Sequence, residues 1–278
     1  MARQALEAGK HVVCEKPLAV SVKEAEDLAH LAARTGRVAT VPFVYRFYAS
    51  VRLARSLIAA DARGPWLLHG SYLQDWLADA ETDNWRVDAG RGGGSRAFGD
   101  IGIHWCDLME FVTGQRITAV QATLGRAHPV RAGRAVATED GGVISLRTDT
   151  GALGSLVVSQ ASAGRRNRLW FSFDCPDASY VFDQENPERL WIGGRDADRV
   201  LTRDPARVGG RPDALPPGHP RGLCSECFTD SSPTTIRACG RRRRLCSPTF
   251  DAGLRAARLT QAVLDSAADD ATWTEVPA

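Results

Sequence analysis

The sequence has no long apolar run. No stretch of its 278 residues approaches the roughly 20 consecutive apolar positions that a membrane span needs, which excludes a transmembrane helix. The opening MARQALEAGKHVVCEKP has no apolar segment followed by a small-residue cleavage site, so no signal peptide is read and the expected location is the cytoplasm. Neither charge is in excess. Lys and Arg number 35 against 33 Asp and Glu, a formal net charge of +2, too near balance to point to nucleic acid or an anionic membrane as partner. Internal repeats are missing too. The seven cysteines are an odd count, which argues against a disulfide framework in a chain without a signal peptide. Cys14, Cys106 and Cys175 lie in apolar or mixed surroundings and are expected to be small buried hydrophobes.

What is present is an ordinary globular composition, 44% hydrophobic and 24% charged, in a chain long enough to bury a substantial core. Residues 2–9 have the pattern of a helix tail, and His11–Cys14 is a short apolar run of the kind a buried parallel strand shows. Ser21 with Glu24 is a capping-box signal ahead of Val22, Ala25, Leu28 and Leu31, and Gly36 closes that helix. An apolar strand at 38–43 and a helix at 49–60 complete a β-α-β-α alternation, the mark of a parallel α/β sheet. From Pro65 the texture changes to short strands at 66–73, 117–124, 142–147, 152–159, 169–174 and 179–182, separated by Gly, Asp and Pro turns. One helix, 100–112, interrupts them and another, 250–267, follows. The expected fold is the C-terminal part of a Rossmann nucleotide-binding domain over 1–62, then a domain over 63–278 with a large, mostly antiparallel open sheet and flanking helices.

Two constellations carry chemistry. Glu15-Lys16-Pro17 directly follows the first strand, where ligands bind in open α/β sheets, and Lys16 can present a cation to a developing alkoxide or carbonyl oxygen. The bland alternative is a surface turn. The second is GGGSRAFGDIGIHWCD at 92–107, in which Asp100, His104 and Asp107 fall at i, i+4 and i+7 on one helical face. Asp100 one turn before His104 can hold the imidazole and support its protonated form, equipping it to exchange a hydroxyl proton near neutral pH. The alternatives are an N-capping Asp bonded to a partly buried His, and a weaker metal reading of the same face. Gly92–Gly94 lacks the spacing of a dinucleotide fingerprint and is expected to bring backbone close to a ligand.

AGKHVVCEKPLA at 8–19, VPFVYRF at 41–47 and NWRVDAGRGGGSRAFGDIGIHWCDLMEFVTG at 84–114 together resemble the Gfo/Idh/MocA oxidoreductases. The resemblance runs from residue 2 to about 222 and resumes over 248–276. It implies a dehydrogenase using NAD or NADP on a sugar, inositol or related polyol, with Lys16, Asp100 and His104 as the catalytic set. It places Glu15, Lys16, Pro17 and Arg46 toward the cofactor, and Trp85, Arg86, Asp100 and His104 toward the substrate. It further implies a homo-oligomer formed through the open sheet of the C-terminal domain. Where the family carries Asn before Tyr-Arg, Val44 stands here.

Two departures follow. Family members open with strand–GxGxxG–helix, and nothing of that kind precedes Glu15. Met1 is therefore expected to be an internal start, a misassigned start or a remnant of a broken gene, and an inactive fragment or scaffolding subunit, unable to bind cofactor, is the alternative function. Residues 223–247 break the family texture, with Cys224, Cys227, Cys239 and Cys246 and the run Arg241–Arg244. A four-cysteine zinc site and a local, self-compensating frameshift both account for this segment. The cysteine spacings fit zinc poorly, so no metal site is expected.

Overall fold

The computed structural model describes residues 1–82, 84–202 and 248–278; the cysteine- and arginine-rich stretch at 223–247 lies outside them. The chain opens with α1 (Ala2–Glu7), β1 (Val12–Val13), α2 (Val22–Thr35) and β2 (Ala39–Thr40), and β1 pairs with β2 in parallel. Both signals expected at the ends of α2 operate. Ser21 Oγ accepts the Glu24 N–H at 3.3 Å, and Gly36 ends the helix in the left-handed region, φ 61°, which glycine enters without a Cβ penalty. A 3-10 turn at Val44–Phe47 then leads to α3 (Ala49–Ile58).

The rest is built on a nine-stranded sheet. Its strands are β3 (Leu67–Leu73), β4 (Ile117–Gly125), β7 (Gly141–Thr148), β8 (Leu153–Ser159), β9 (Arg168–Asp174), β10 (Ala178–Asp183), β11 (Arg189–Gly194), β12 (Arg199–Thr202) and β13 (Thr274–Glu275). A separate two-stranded hairpin, β5 (Val130–Arg131) with β6 (Arg134–Ala135), sits beside it. The spatial order is β12-β11-β10-β9-β3-β8-β7-β4-β13. Only β3 with β8 is parallel among these neighbours, so the sheet is mostly antiparallel, as expected. Strands β11, β12 and β13 extend it beyond the expected set.

Alternation decides which face is covered. Leu68, Tyr72, Ile144, Leu146, Leu156, Val158, Leu169, Phe171 and Phe173 point into the core. Above them lie α3, α5 (Ile103–Thr113) and α6 (Phe250–Ala268), and the short α4 (Ala89–Gly92) precedes α5 in the chain. Helix α5 is buried from Ile103 to Val112, the pattern of a helix enclosed on all sides. It presses on the sheet at Gly70, where a Cβ would strike the Trp105 indole, whose Nε1 donates to the Trp170 carbonyl at 3.0 Å. Helix α6 returns to the start of the chain: Gly253 packs so tightly that a Cβ there would meet Leu18 and Val41 at 2.8–2.9 Å. No helix among the described residues is long and apolar enough to cross a membrane.

Candidate active site

At the carboxyl end of β1 the Cys14 N–H still donates to Thr40 O, at 2.9 Å. The chain then leaves the sheet through Glu15-Lys16-Pro17, whose Lys16–Pro17 bond is cis. Lys16 reaches from this turn to the other half of the molecule. Its Nζ donates to Asp100 Oδ1 at 2.5 Å and to the Asp100 carbonyl at 2.7 Å. An ammonium carries three donors, so one N–H is left for an oxygen in the cleft. Glu15 is exposed on the turn, and its Oε2 accepts the Lys16 backbone N–H at 3.2 Å.

Asp100 lies in a π-turn, Phe98–Gly102, that opens into α5. Its other oxygen, Oδ2, accepts from Gln160 Nε2 at 2.8 Å. The segment before it is clamped from behind by Glu139 Oε1, which accepts from Ser95 Oγ and from the Arg96 and Phe98 N–H groups at 2.7–2.9 Å. Next to Glu139, Asp140 binds the buried guanidinium groups of Arg96 and Arg131.

His104 is buried, with ring centroids of Tyr45, Phe43 and Tyr72 at 5.0, 5.7 and 6.4 Å. Burial, reinforced by the Lys16 cation, holds its pKa well below the ordinary 6.5, so the imidazole is neutral near pH 7 and its protonated form is disfavoured rather than supported as the Asp100 spacing suggested. The expected Asp100–His104 hydrogen bond does not form. Both Asp100 oxygens are taken by Lys16 and Gln160, and His104 Nδ1 has no partner. A π-turn closes on i+5 rather than i+4, so a four-residue spacing across it no longer stacks the carboxylate over the ring.

The single helical face expected for Asp100, His104 and Asp107 is likewise divided. Asp107, buried on α5, takes Arg46 in a two-pronged ion pair, with Nε donating to Oδ2 at 2.8 Å and Nη2 to Oδ1. A carboxylate this deep requires a paired cation, and that demand draws Arg46 to Asp107 and over the Phe111 ring, 5.2 Å away, rather than into the cleft. Trp85 and Arg86 occupy a 3-10 turn started by Asn84, whose Oδ1 accepts the Arg86 N–H at 3.0 Å. The Arg86 guanidinium lies 4.6 Å over the half-exposed Trp85 ring. These two residues line one cleft with Pro17, Ser95, Asp100 and Thr260. The close backbone approach expected of the glycine run is internal: a Cβ on Gly92 would press on the Arg86 carbonyl, 2.8 Å away. Among the described residues no three His, Cys, Asp or Glu side chains are grouped to hold a metal ion.

Three contributors escaped the sequence reading: Gln160, Tyr45 and Tyr72. Tyr45 stood in the VPFVYRF stretch beside Arg46, and its buried hydroxyl is hydrogen-bonded to that of Tyr72. Tyr72 donates in turn to Asn167 Oδ1 at 2.8 Å. Burial pushes the Tyr45 phenol up to about 12, with its hydrogen bonds to Tyr72, Asn167 and Gln184 acting the other way, so this wall of the His104 pocket remains protonated.

The low pKa of His104 has a thermodynamic consequence. Above pH 6.5 the ring is neutral in both folded and unfolded chains; below it the unfolded chain binds a proton that the folded one resists, so stability falls. Urea midpoints on either side of pH 6.5 should diverge less in a His104→Gln variant than in the wild type, and equal divergence would contradict the assignment.

A Rossmann-type strand-helix-strand segment whose Lys-Pro turn meets an aspartate and a neutral histidine over a large mixed sheet has the layout of a two-domain nicotinamide oxidoreductase. Residues 1–43 match the family model described as oxidoreductase family, NAD-binding Rossmann fold, and residues 51–181 match the GFO/IDH/MocA C-terminal domain. An oxidoreductase domain protein from Kribbella flavida is 32% identical, with 100% of this chain aligned to 76% of that one at a TM-score of 0.85. Levoglucosan dehydrogenase from Pseudarthrobacter phenanthrenivorans is 29% identical over 98% of this chain and 75% of its own length. An inositol dehydrogenase homolog from Azotobacter vinelandii, solved with NAD+, is 28% identical over 99% and 74%, TM-score 0.85. The chain belongs to the Gfo/Idh/MocA oxidoreductases.

Proposed function

We propose that the chain is a cytoplasmic dehydrogenase that uses NAD or NADP to move a hydride to or from a hydroxyl-bearing carbon of a sugar, inositol or related polyol. The observation that carries this reading is the Lys16 ammonium held on Asp100 across a cleft, with one N–H uncommitted and a neutral imidazole on the following helix. The donor set fits a nicotinamide site: a cation with a spare donor at a strand's carboxyl end, beside the exposed Trp85 ring. Glu15 and Pro17 would flank the nicotinamide ribose, and the bound nicotinamide would supply or accept the hydride. Lys16 binds the substrate oxygen and stabilises the negative charge that develops on it. His104 takes the hydroxyl proton in the oxidising direction and returns it in the other. Trp85 and Arg86 hold the substrate side of the cleft.

The test is NAD+ or NADP+ reduction by the purified chain with levoglucosan, myo-inositol and glucose, alongside an NADH titration. Turnover on any of these sugars supports the reading. NADH binding without turnover on any hydroxyl compound defeats it, and no binding at all favours a scaffolding role.

Self-association is part of the same proposal. The outer face of the sheet carries Val143, Leu153 and Val157, which are 55%, 52% and 41% exposed in the single chain. Val143 and Val157 are direct cross-strand partners. Exposed apolar side chains on an open sheet face mark an association site; here the Val143–Val157 pair is set apart from Leu153 by Ser145 and Ser155. Light scattering should show a mass above one chain, falling to the monomer in a Val143→Glu/Val157→Glu variant; an unchanged mass would place the interface elsewhere.

A further inference from the structure

We infer that Gln160 is a positioning residue for the Lys16–Asp100 pair, a role that rests on the proposed dehydrogenase function. Gln160 follows β8 and is completely buried. Its backbone is fixed on both sides, with N donating to the Asp140 carbonyl at 2.9 Å and O accepting the Leu77 N–H at 3.0 Å. Its side chain makes one hydrogen bond, Nε2 to Asp100 Oδ2 at 2.8 Å, while Oε1 is buried with no partner. An unpaired buried acceptor costs stability, and an apolar side chain of the same size would avoid that cost. What the amide provides is directional. Lys16 holds Oδ1, Gln160 holds Oδ2, and together they stop the carboxylate from rotating about its Cβ–Cγ bond. The Lys16 ammonium is thereby fixed, with its spare N–H aimed consistently.

Asp140, whose carbonyl anchors Gln160, also grips Arg96 on the segment that leads into Asp100. Glu139 beside it clamps Ser95, Arg96 and Phe98. The two ends of the Asp100–Gln160 hydrogen bond are therefore set by one pair of adjacent residues.

Three readouts separate positioning from plain packing. Gln160→Met is expected to keep or raise the thermal midpoint while lowering kcat about tenfold; a lowered midpoint with unchanged kcat would overturn the inference. Gln160→Glu keeps the shape but puts a carboxyl against Asp100. Protonated, it can donate to Oδ2 in place of the amide; ionised, it repels Asp100. Its activity relative to wild type should fall as pH rises through the titration of the introduced carboxyl, and a constant ratio would count against the proposal. The third readout needs no turnover: trace acetylation by acetic anhydride, read by mass spectrometry. In Gln160→Met, Lys16 should become several-fold more reactive relative to exposed Lys23, and an unchanged or smaller ratio rejects the positioning role. If no sugar is turned over by wild type, the dehydrogenase reading fails on its own assay while the Lys16 labelling still decides the role of Gln160.

Discussion

Replacing Lys16 with Met should lower kcat by about 10²–10³-fold, the range for removing one donor aimed at a developing oxyanion. The fold should survive, because Asp100 keeps its hydrogen bond to Gln160 and is partly open to water. The loss is expected in kcat and kcat/KM together, with little change in NADH affinity, since the ammonium acts on the charge that forms in the transition state. Steady-state kinetics with a direct NADH titration checks both parts. Unchanged kcat in a folded variant would remove Lys16 from the chemistry, and with it the observation on which the proposed function stands.

The largest loss of stability is expected at Asp140. Its Oδ1 accepts from Arg131 Nη2 at 2.7 Å and is ion-paired with Arg96, and both guanidinium groups are almost wholly shielded from solvent. Asp140→Ala leaves two buried cations without their counter-charge, a change that costs about 3–5 kcal/mol when a buried pair is broken from one side. Against the roughly 5–15 kcal/mol that holds a typical domain together, that is a large share. Urea denaturation measures it directly, and a loss under about 1 kcal/mol would place the pair among surface salt bridges in effect. The acid limit carries a second signature. Burial alone would raise the Asp140 carboxyl, but the His128 N–H and the two arginines outweigh it and hold it below 3.8. Its contribution is therefore complete above about pH 3.8 and lost as the pH falls through the lowered value, a component the variant should lack.

The parts of the site that were legible in the sequence are those whose signal is local. Glu15-Lys16-Pro17 is contiguous, and Asp100 and His104 lie within one short stretch, so a strand end and a helix start sufficed to single them out. Gln160 had no such signal. It stands 60 residues from Asp100 at a strand end, and only the parallel pairing of β3 with β8 and the π-turn before α5 bring the two together. The expected Asp100–His104 bond failed for a related reason: helical spacing assumes an unbroken α-helix, and a π-turn leaves no mark in composition. Arg46 was recognisable as a cleft residue only by resemblance, and the buried charge of Asp107 on α5 captured it. In the fold, the strands of six or more residues were visible except β11, whose apolar Leu190-Trp191-Ile192 run is followed by two glycines. β13, two residues long, exists only because Thr274 and Glu275 lie against Val120 and Ala119. β12 has no buried residue to announce it.

The return of α6 to β1 and β2 sets an order of events between these elements during synthesis. Val41 N donates to the Pro248 carbonyl, Thr40 bridges to Thr249, Arg258 reaches Glu26 at 3.0 Å, and Gly253 closes on Leu18 and Val41. Residues of β1 and β2 are thus completed by a segment that lies far behind them in the sequence. Until α6 has emerged from the ribosome, the β1–β2 segment waits with its apolar side uncovered, and a ribosome stalled before α6 would hold that segment unfinished.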